Sequence, residues 1–214
     1  MKTNGTELVF ILDRSGSMSG LEADTIGGYN AMLAKQKNEE GEATVTTVLF
    51  NHDIDWLHDR IKIKGIAPIT EQEYEVGGTT ALLDAIGSTI HKIGNVQKRT
   101  SEEERAGKVL FVITTDGMEN ASREYDYGKI KAMIEHQKVK YDWEFIFLGA
   151  NIDAVSTASK FGIQEDYAVN YHADSEGTQV NFQALNEAVT SFRKGRKLDR
   201  VWKESIEKDF DSRK

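Results

Sequence analysis

The stretch that decides the fold is LVFILDRSGS, at residues 8–17. Its first five residues are all apolar, and Asp13 and a run of small polar residues follow them abruptly. A strand that is buried on both faces of a sheet has a continuous apolar run of this length and ends at a polar loop. Residues 8–12 are therefore predicted to form a strand in the interior of a sheet.

Two later stretches have the same form. Residues 108–114 read KVLFVIT and residues 143–148 read WEFIFL. Segments with apolar residues at helical spacing lie between these stretches, for example Leu21, Tyr29 and Leu33. Strands that alternate with helices are joined by right-handed crossovers and run parallel. The pattern therefore predicts a doubly wound, Rossmann-like α/β fold with a mainly parallel central sheet and helices on both faces.

The edges of the predicted sheet have weaker patterns. Residues 43–50 and 56–63 alternate apolar and polar side chains, and turn-forming residues separate them. This pattern is typical of a β-hairpin, so one edge strand is predicted to run antiparallel to the others. Residues 167–171 predict a short strand at the opposite edge. Residues 95–108, which carry clustered charges, are predicted to form an exposed insertion.

The length of the chain bounds its domain organisation. A chain of 214 residues can form one α/β domain with a sizeable core, but leaves little for a second. We assign residues 1–172 to this domain. The remaining residues contain an apolar stripe at helical spacing, formed by Val180, Phe182, Leu185, Val189 and Phe192. Because such a stripe would promote aggregation if it were exposed, residues 173–214 are predicted to be a helical extension that packs on the domain, with a second copy of the chain as the alternative cover.

The composition limits the partners and the chemistry. The 27 lysines and arginines and 35 aspartates and glutamates give a formal charge of −8, which argues against a nucleic-acid partner. The absence of cysteine excludes disulfides, thiolate zinc sites and a cysteine nucleophile. No apolar run reaches the roughly 18 residues that span a bilayer, and the first residues lack a signal-peptide pattern. We therefore expect a cytoplasmic protein with no membrane partner.

Oxygen-bearing side chains follow two of the predicted strands. Asp13 and Asp116 each come after a buried apolar run, at the edge where open parallel sheets bind ligands. Ser15 and Ser17 alternate after Asp13, so that a tight loop can turn both hydroxyls toward it. The segment GGTT, at residues 77–80, stands directly before a predicted helix. Carboxylate and hydroxyl oxygens suit a hard divalent cation such as Mg²⁺, and this set leaves at least one coordination position open.

At these residues the chain resembles a von Willebrand factor A (VWA) domain of the intracellular bacterial or phage type, over about residues 6 to 172. The family's metal-ion-dependent adhesion site (MIDAS) has D-x-S-x-S after the first strand, a threonine before a later helix and an aspartate after the fourth strand. The resemblance implies a complete MIDAS with the metal ligands Asp13, Ser15, Ser17, Thr79 and Asp116. Thr80 is the alternative ligand; with Thr79 in the site, Thr80 is predicted to cap the helix. The implied cofactor is Mg²⁺, with Mn²⁺ or Ca²⁺ as alternatives.

In this family the open metal position commonly accepts a carboxylate from another protein. The resemblance therefore implies a non-enzymatic, metal-dependent protein-binding module whose partner contributes Asp or Glu. Two alternatives stay open. One is a purely structural domain whose motif binds no ion, and the other is a metal-dependent phosphatase of the haloacid dehalogenase type, with Asp13 as the nucleophile. That class places a carboxylic acid two residues later as the general acid, where this chain has Ser15. We expect Asp13→Ala to abolish metal binding without unfolding the chain, because a surface loop is predicted there.

Other polar residues near the predicted site have simpler interpretations. Asp84, one turn into the following helix, is predicted to support the site or to cap a loop rather than to bind the metal. The five histidines lack ligand spacing and are interpreted as structural or surface residues. An EF-hand that begins at Asp13 is excluded, because Met18 stands where the calcium loop requires glycine.

Overall fold

A computed structural model describes residues 5–213 and contains a six-stranded sheet. The strands are β1 (Thr6–Asp13), β2 (Ala43–Phe50), β3 (Ile54–Lys62), β4 (Lys108–Thr115), β5 (Glu144–Gly149) and β6 (Ala168–Asn170). Their order across the sheet is β3-β2-β1-β4-β5-β6. β3 is antiparallel to β2, and the other neighbouring pairs are parallel. The predicted mainly parallel sheet with one antiparallel edge strand is therefore confirmed.

Helices cover both faces of this sheet. They are α1 (Glu22–Lys37), α2 (Leu82–Arg99), α3 (Tyr127–Tyr141), α4 (Ala154–Lys160), α5 (Ser175–Arg193) and α6 (Glu204–Ser212). α1 and α5 share one apolar cluster with the sheet, and α2, α3 and α4 share the other. Within residues 5–213, no helix combines the length and the apolar character that crossing a bilayer requires. The predicted doubly wound α/β fold is confirmed.

The side chains of β1 alternate between the two apolar clusters. Leu8, Phe10 and Leu12 belong to the cluster under α1 and α5, whereas Val9 and Ile11 belong to the cluster under α2, α3 and α4. Successive side chains of a strand point to opposite faces of the sheet. All five are 1% exposed or less. β1 is thus buried on both faces, which is why its apolar run is unbroken.

Two predicted boundaries are wrong. Residues 95–99 form the last turn of α2 rather than part of an exposed insertion. Gln97 is 6% exposed and donates a hydrogen bond to the buried carboxylate of Glu7, which anchors this turn to β1. The clustered charges mark the end of the helix, where basic side chains complement the helix dipole. In the hairpin, β3 begins at Ile54 rather than at Trp56, because a tighter turn joins the strands.

The residues after position 173 pack against the rest of the chain. Phe182, Leu185 and Val189 of α5 are buried in the cluster that α5 shares with α1 and β1. Arg193, in the last turn of α5, donates hydrogen bonds to backbone carbonyls at the end of α1. These contacts fix α5 beside α1. The division of the chain into residues 1–172 and 173–214 stays a prediction.

Candidate metal centre

The predicted ligands lie at the carboxyl ends of β1 and β4. These strands are parallel neighbours, although α1, β2, β3 and α2 separate them in sequence. The chain leaves β1 toward β2 on one side and later returns to β4 on the other, so the strand order reverses between them. Loops diverge at such a reversal and form the crevice in which open α/β sheets bind ligands. The loop after β1 meets the loop before α2 there, since the N–H of Gly16 donates to the carbonyl of Gly78 (3.1 Å).

Asp13 is a buried carboxylate that two hydrogen bonds hold in place. It is the last residue of β1, pairs with Phe50 of β2 and is 1% exposed. Its Oδ1 accepts a hydrogen bond from the backbone N–H of Ser15 (2.7 Å), and its Oδ2 accepts one from the hydroxyl of Thr115 (2.5 Å). The prediction that Asp13 lies in a surface loop is wrong, because β1 continues through this residue and neighbouring strands cover it.

Ser15, Ser17 and Asp116 form a connected group of oxygens. The hydroxyl oxygens of Ser15 and Ser17 are 3.1 Å apart. Ser17 also donates a hydrogen bond to Oδ1 of Asp116 (2.5 Å), which joins the loop after β1 to the loop after β4. Oδ2 of Asp116 is buried and has no hydrogen-bond partner. A buried carboxylate oxygen in this state is unfavourable unless a donor or a cation approaches it.

The structure favours Thr80 over Thr79 as the threonine of this group. Thr79 is exposed, whereas Thr80 is 4% exposed. A Cβ placed on Gly117 would lie 3.2 Å from the hydroxyl oxygen of Ser17 and 3.7 Å from that of Thr80, so both hydroxyls face this glycine. Ala81 occupies the N-cap position of α2. The predicted capping role of Thr80 is therefore wrong. Its hydroxyl is available to the oxygens of Asp13, Ser15, Ser17 and Asp116, and we call these five residues the centre.

Gly78 directs Thr80 into the centre. Its φ is +78°, in the left-handed region that favours glycine, and a Cβ there would lie only 2.1 Å from Nδ1 of His52. Two hydrogen bonds to Asn120 then hold the backbone of Thr80. The N–H of Thr80 donates to the side-chain carbonyl of Asn120 (2.9 Å), and the carbonyl of Thr80 accepts from the N–H of Asn120 (3.0 Å).

Burial raises the pKa of both carboxyl groups of the centre. Desolvation is the largest cause for Asp13 and for Asp116, and the negative charge of Asp13 raises the pKa of Asp116 further. A divalent cation offsets the free-energy cost of burying these two carboxylates, because it supplies the opposite charge. Within residues 5–213, no group of three or more His, Asp or Glu side chains could hold a metal. A metal here depends on the hydroxyls as well, and this all-oxygen donor set fits a hard divalent cation.

Comparison with known proteins identifies the fold. No protein-family model and no curated protein matches the sequence, but solved structures match the chain. The von Willebrand factor type A structure from Catenulispora acidiphila superposes with a TM-score of 0.57 at 13% identity, covering 88% of this chain and 43% of that one. The chain has a VWA fold. At 13% identity this likeness shows only the fold. The predicted resemblance to a VWA domain is therefore confirmed for the fold.

Two further structures that are similar to this VWA fold contain a metal. Manganese-loaded TRAP protein from Plasmodium vivax has a TM-score of 0.56 at 15% identity, covering 84% of this chain and 74% of that one. Proximal thread matrix protein 1 from the mussel byssus, with zinc in its MIDAS motif, has a TM-score of 0.56 at 13% identity. The match covers 88% of this chain and 46% of that one. The chain therefore spans less than half the length of two of these three proteins.

Three side chains that the sequence does not single out hold the backbone of the VWA-fold centre. The hydroxyl of Tyr74 donates to the carbonyl of Asp13. The hydroxyl of Tyr171 donates to the carbonyl of Thr115 (3.5 Å), and the side-chain amide of Asn151 donates to the carbonyl of Asp116 (3.2 Å). These three side chains come from different segments of the chain. No local sequence pattern indicates that they contact the strand ends.

Asp84 supports the loop after β4. Its carboxylate accepts hydrogen bonds from the backbone N–H groups of Arg123, Glu124 and Tyr125. The contacts of Asp84 are therefore with the loop backbone rather than with the oxygens of the centre. By holding this loop against α2, Asp84 restricts the segment that begins at Asp116.

Proposed function

We propose that this chain is a non-enzymatic, divalent-metal-dependent protein-binding module. The ion would be held by oxygens of Asp13, Ser15, Ser17, Thr80 and Asp116. A partner protein would supply an Asp or Glu carboxylate to the position that these residues leave open. The manganese and zinc in two structures with a similar fold support a divalent metal. The oxygen donors favour Mg²⁺, with Mn²⁺ or Ca²⁺ as alternatives.

The observation that carries this proposal is the unpartnered Oδ2 of Asp116. This oxygen is buried, and the carboxylate of Asp13 is near enough to raise the pKa of Asp116. Two like charges in a buried site are unfavourable without a counterion. A divalent cation is the counterion that carboxylate and hydroxyl oxygens fit. Because only two of the ligands are anionic, an ion held here retains affinity for one more carboxylate.

The centre is accessible from the side of Ser17. Ser17 is exposed and lines a groove of about 570 Å³, whose other lining residues include Asn151 and the carboxylates Asp24 and Asp174. A partner's carboxylate can reach the centre at Ser17, where the charge of the ion would offset the repulsion by Asp24 and Asp174.

The overall charge gives the metal a decisive role in this proposal. At −8 the chain repels an acidic partner at long range, so attraction at contact depends on the local positive charge of the ion. Chelation is therefore expected to remove most of the affinity. The cytoplasmic location and the absence of nucleic-acid and membrane partners stay predictions from composition.

A phosphatase is the alternative, and the residue at position 15 argues against it. Ser15 stands where a phosphatase of the haloacid dehalogenase type needs a carboxylic acid two residues after the nucleophile. We therefore propose that the chain is not an enzyme, and we expect no phosphate release from p-nitrophenyl phosphate in the presence of Mg²⁺.

Calorimetric titration with Mg²⁺ and with Mn²⁺ tests the metal. We expect binding by the wild-type chain and none by Asp116→Asn. Asp166→Asn is the matched control, because Asp166 is an exposed aspartate outside the centre. Equal binding by both variants would show that the metal lies elsewhere. For a protein partner, the expected result is an interaction that is lost both in EDTA and in Asp116→Asn.

A further inference from the structure

A second cavity lies at the opposite end of β4 from the metal centre. It has a volume of about 690 Å³ and lies between the C-terminal halves of α2 and α3 and the segment just before β4. We call it the distal cleft. Gly94 and Lys98 of α2, Arg105 before β4, and Gln137 and Lys140 of α3 line it. Its volume is within the range of sites that bind small molecules, roughly 300–1,000 Å³.

The charge of the distal cleft is opposite to that of the whole chain. Lys98, Arg105 and Lys140 line it, and Glu102 is the one carboxylate among its lining residues. Lys98 and Lys140 form no ion pair with a carboxylate of residues 5–213. In a chain of charge −8, cationic side chains around one cavity favour an anionic ligand.

Gln137 provides an independent indication of a ligand. Its side-chain Oε1 is buried and has no hydrogen-bond partner. The backbone carbonyl of Gln137 accepts from the N–H of Trp143 (3.3 Å), which fixes this residue at the end of α3. Its side-chain nitrogen is near Gly94, where a Cβ would lie 3.6 Å away. Since buried acceptors are normally paired, Oε1 would gain a donor if the side chain turned toward a ligand hydroxyl in the distal cleft.

We propose that the distal cleft binds a small organic phosphate. Lys98, Lys140 and Arg105 contact the phosphate, because charge-assisted hydrogen bonds to phosphate oxygens are among the strongest that proteins form. A hydroxyl of the organic part donates to Oε1 of Gln137. Nucleoside and sugar phosphates share this chemistry.

Basic residues also occur at helix C-termini only to complement the helix dipole, and this provides the matched control. Lys35 and Lys160 are exposed lysines in the last turns of α1 and α4, and neither lines the distal cleft. A ligand that is attracted by surface charge alone would respond equally to the loss of either lysine pair. A ligand in the cleft would respond only to the loss of Lys98 and Lys140.

The test is a calorimetric titration of the full chain with adenosine monophosphate, glucose 6-phosphate and inorganic phosphate. EDTA is present, so that no cation at the metal centre bridges a phosphate. We expect one of the organic phosphates to bind at least about tenfold more tightly than inorganic phosphate. Lys98→Ala/Lys140→Ala should weaken its binding about tenfold or more, whereas Lys35→Ala/Lys160→Ala should change it less than about twofold.

Gln137→Met separates the hydroxyl contact from the phosphate contact. It removes an unpaired acceptor, so the fold is not expected to suffer, and it should abolish the preference for the organic phosphate over inorganic phosphate. Nuclear magnetic resonance locates the ligand: the indole N–H signal of Trp143 should shift, and those of Trp56 and Trp202 should not. No binding at millimolar concentration, equal affinity for all three phosphates, or equal effects of the two lysine pairs would each overturn the proposal.

Discussion

We expect the carboxylate of Asp116 to destabilise the fold when no cation is bound beside it. It is 1% exposed, its Oδ2 is unpartnered, and burial together with the charge of Asp13 raises its pKa. A neutral amide removes this cost and keeps an oxygen that accepts from Ser17. We expect Asp116→Asn to be more stable than the wild type in EDTA, by about 1 kcal/mol or roughly 2–4 °C in Tm. Calorimetric melting measures the Tm of both proteins. In Mg²⁺ the wild type should be the more stable of the two. A lower Tm for Asp116→Asn than for the wild type in EDTA would contradict the electrostatic explanation.

The positions of Asp13, Ser15, Ser17 and Asp116 at strand ends could be predicted from sequence, whereas the choice between Thr79 and Thr80 could not. Asp13, Ser15, Ser17 and Asp116 follow apolar runs, and such runs show where buried strands end. The choice between Thr79 and Thr80 depends on the left-handed backbone of Gly78 and on the ring of His52 that packs over it. Contacts between residues that are distant in sequence are not encoded in any local pattern. The same holds for the tyrosine hydroxyls that hold the strand ends.

A buried polar contact joins α1, β2 and β3. The hydroxyl oxygen of Thr47 is 2.6 Å from that of Tyr29 and 2.8 Å from Nδ1 of His58. Burial lowers the pKa of His58 below its ordinary value of 6.5. The folded chain therefore binds a proton at His58 less tightly than the unfolded chain does. As a consequence, the free energy of unfolding falls as the pH decreases through 6.5 toward the lower folded-state pKa.

Replacement of His58 tests this pH dependence. We expect His58→Gln to lose less stability than the wild type between about pH 7.5 and about pH 5.5, because glutamine does not titrate. Urea denaturation at the two pH values measures the difference. His91→Gln, at an exposed histidine, should keep the wild-type dependence. If His58→Gln also keeps the wild-type pH dependence, another group is responsible for that dependence.

Arg193 connects α5 to the end of α1. The last carbonyls of a helix lack partners within the helix, and the guanidinium of Arg193 donates to four carbonyl oxygens of residues 36–41. Arg193 is only 7% exposed, so its loss would remove a buried donor from all four carbonyls, of which that of Gln36 also accepts from the backbone N–H of Glu39. We expect Arg193→Met to lower the free energy of unfolding by about 3 kcal/mol.

Chemical denaturation of Arg193→Met measures this loss. Arg196→Met is the control, because Arg196 is exposed and three residues further along. Its effect should be within about 0.5 kcal/mol of zero. If both variants are equally stable, α5 is held by its apolar face alone and the hydrogen bonds to α1 add nothing measurable.

The order of the helices and strands is well predicted, whereas their ends are not. Unbroken apolar runs predict β1, β4 and β5, because strands between helical layers need apolar residues on both faces. The end of α2 is missed, since charged residues after Ile93 resemble a loop. Gln97 remains helical because its amide reaches Glu7 in the interior. A polar side chain that is buried by a tertiary hydrogen bond cannot be recognised by hydropathy.

The two faces of the sheet depend on different parts of the chain. The cluster with α2, α3 and α4 draws on residues before position 169. The opposite cluster relies on α1 together with the C-terminal segment, which contributes Phe182, Leu185, Val189, Phe192, Leu198, Trp202 and Ile206. Each large apolar side chain stabilises a fold by roughly 2 kcal/mol when it is fully buried. The summed contribution of these seven side chains is comparable with the total stability of a domain, about 5–15 kcal/mol.

Truncation at two points tests this dependence. A chain of residues 1–173 lacks all seven side chains and exposes one face of the sheet, so we expect it to be unfolded or aggregated. A chain of residues 1–195 loses only Leu198, Trp202 and Ile206, and should fold with a lower Tm. Circular dichroism melting and size-exclusion chromatography distinguish the two outcomes. If residues 1–173 kept the Tm and the oligomeric state of the full chain, α1 alone would cover this face, and the C-terminal segment would not contribute to its stability.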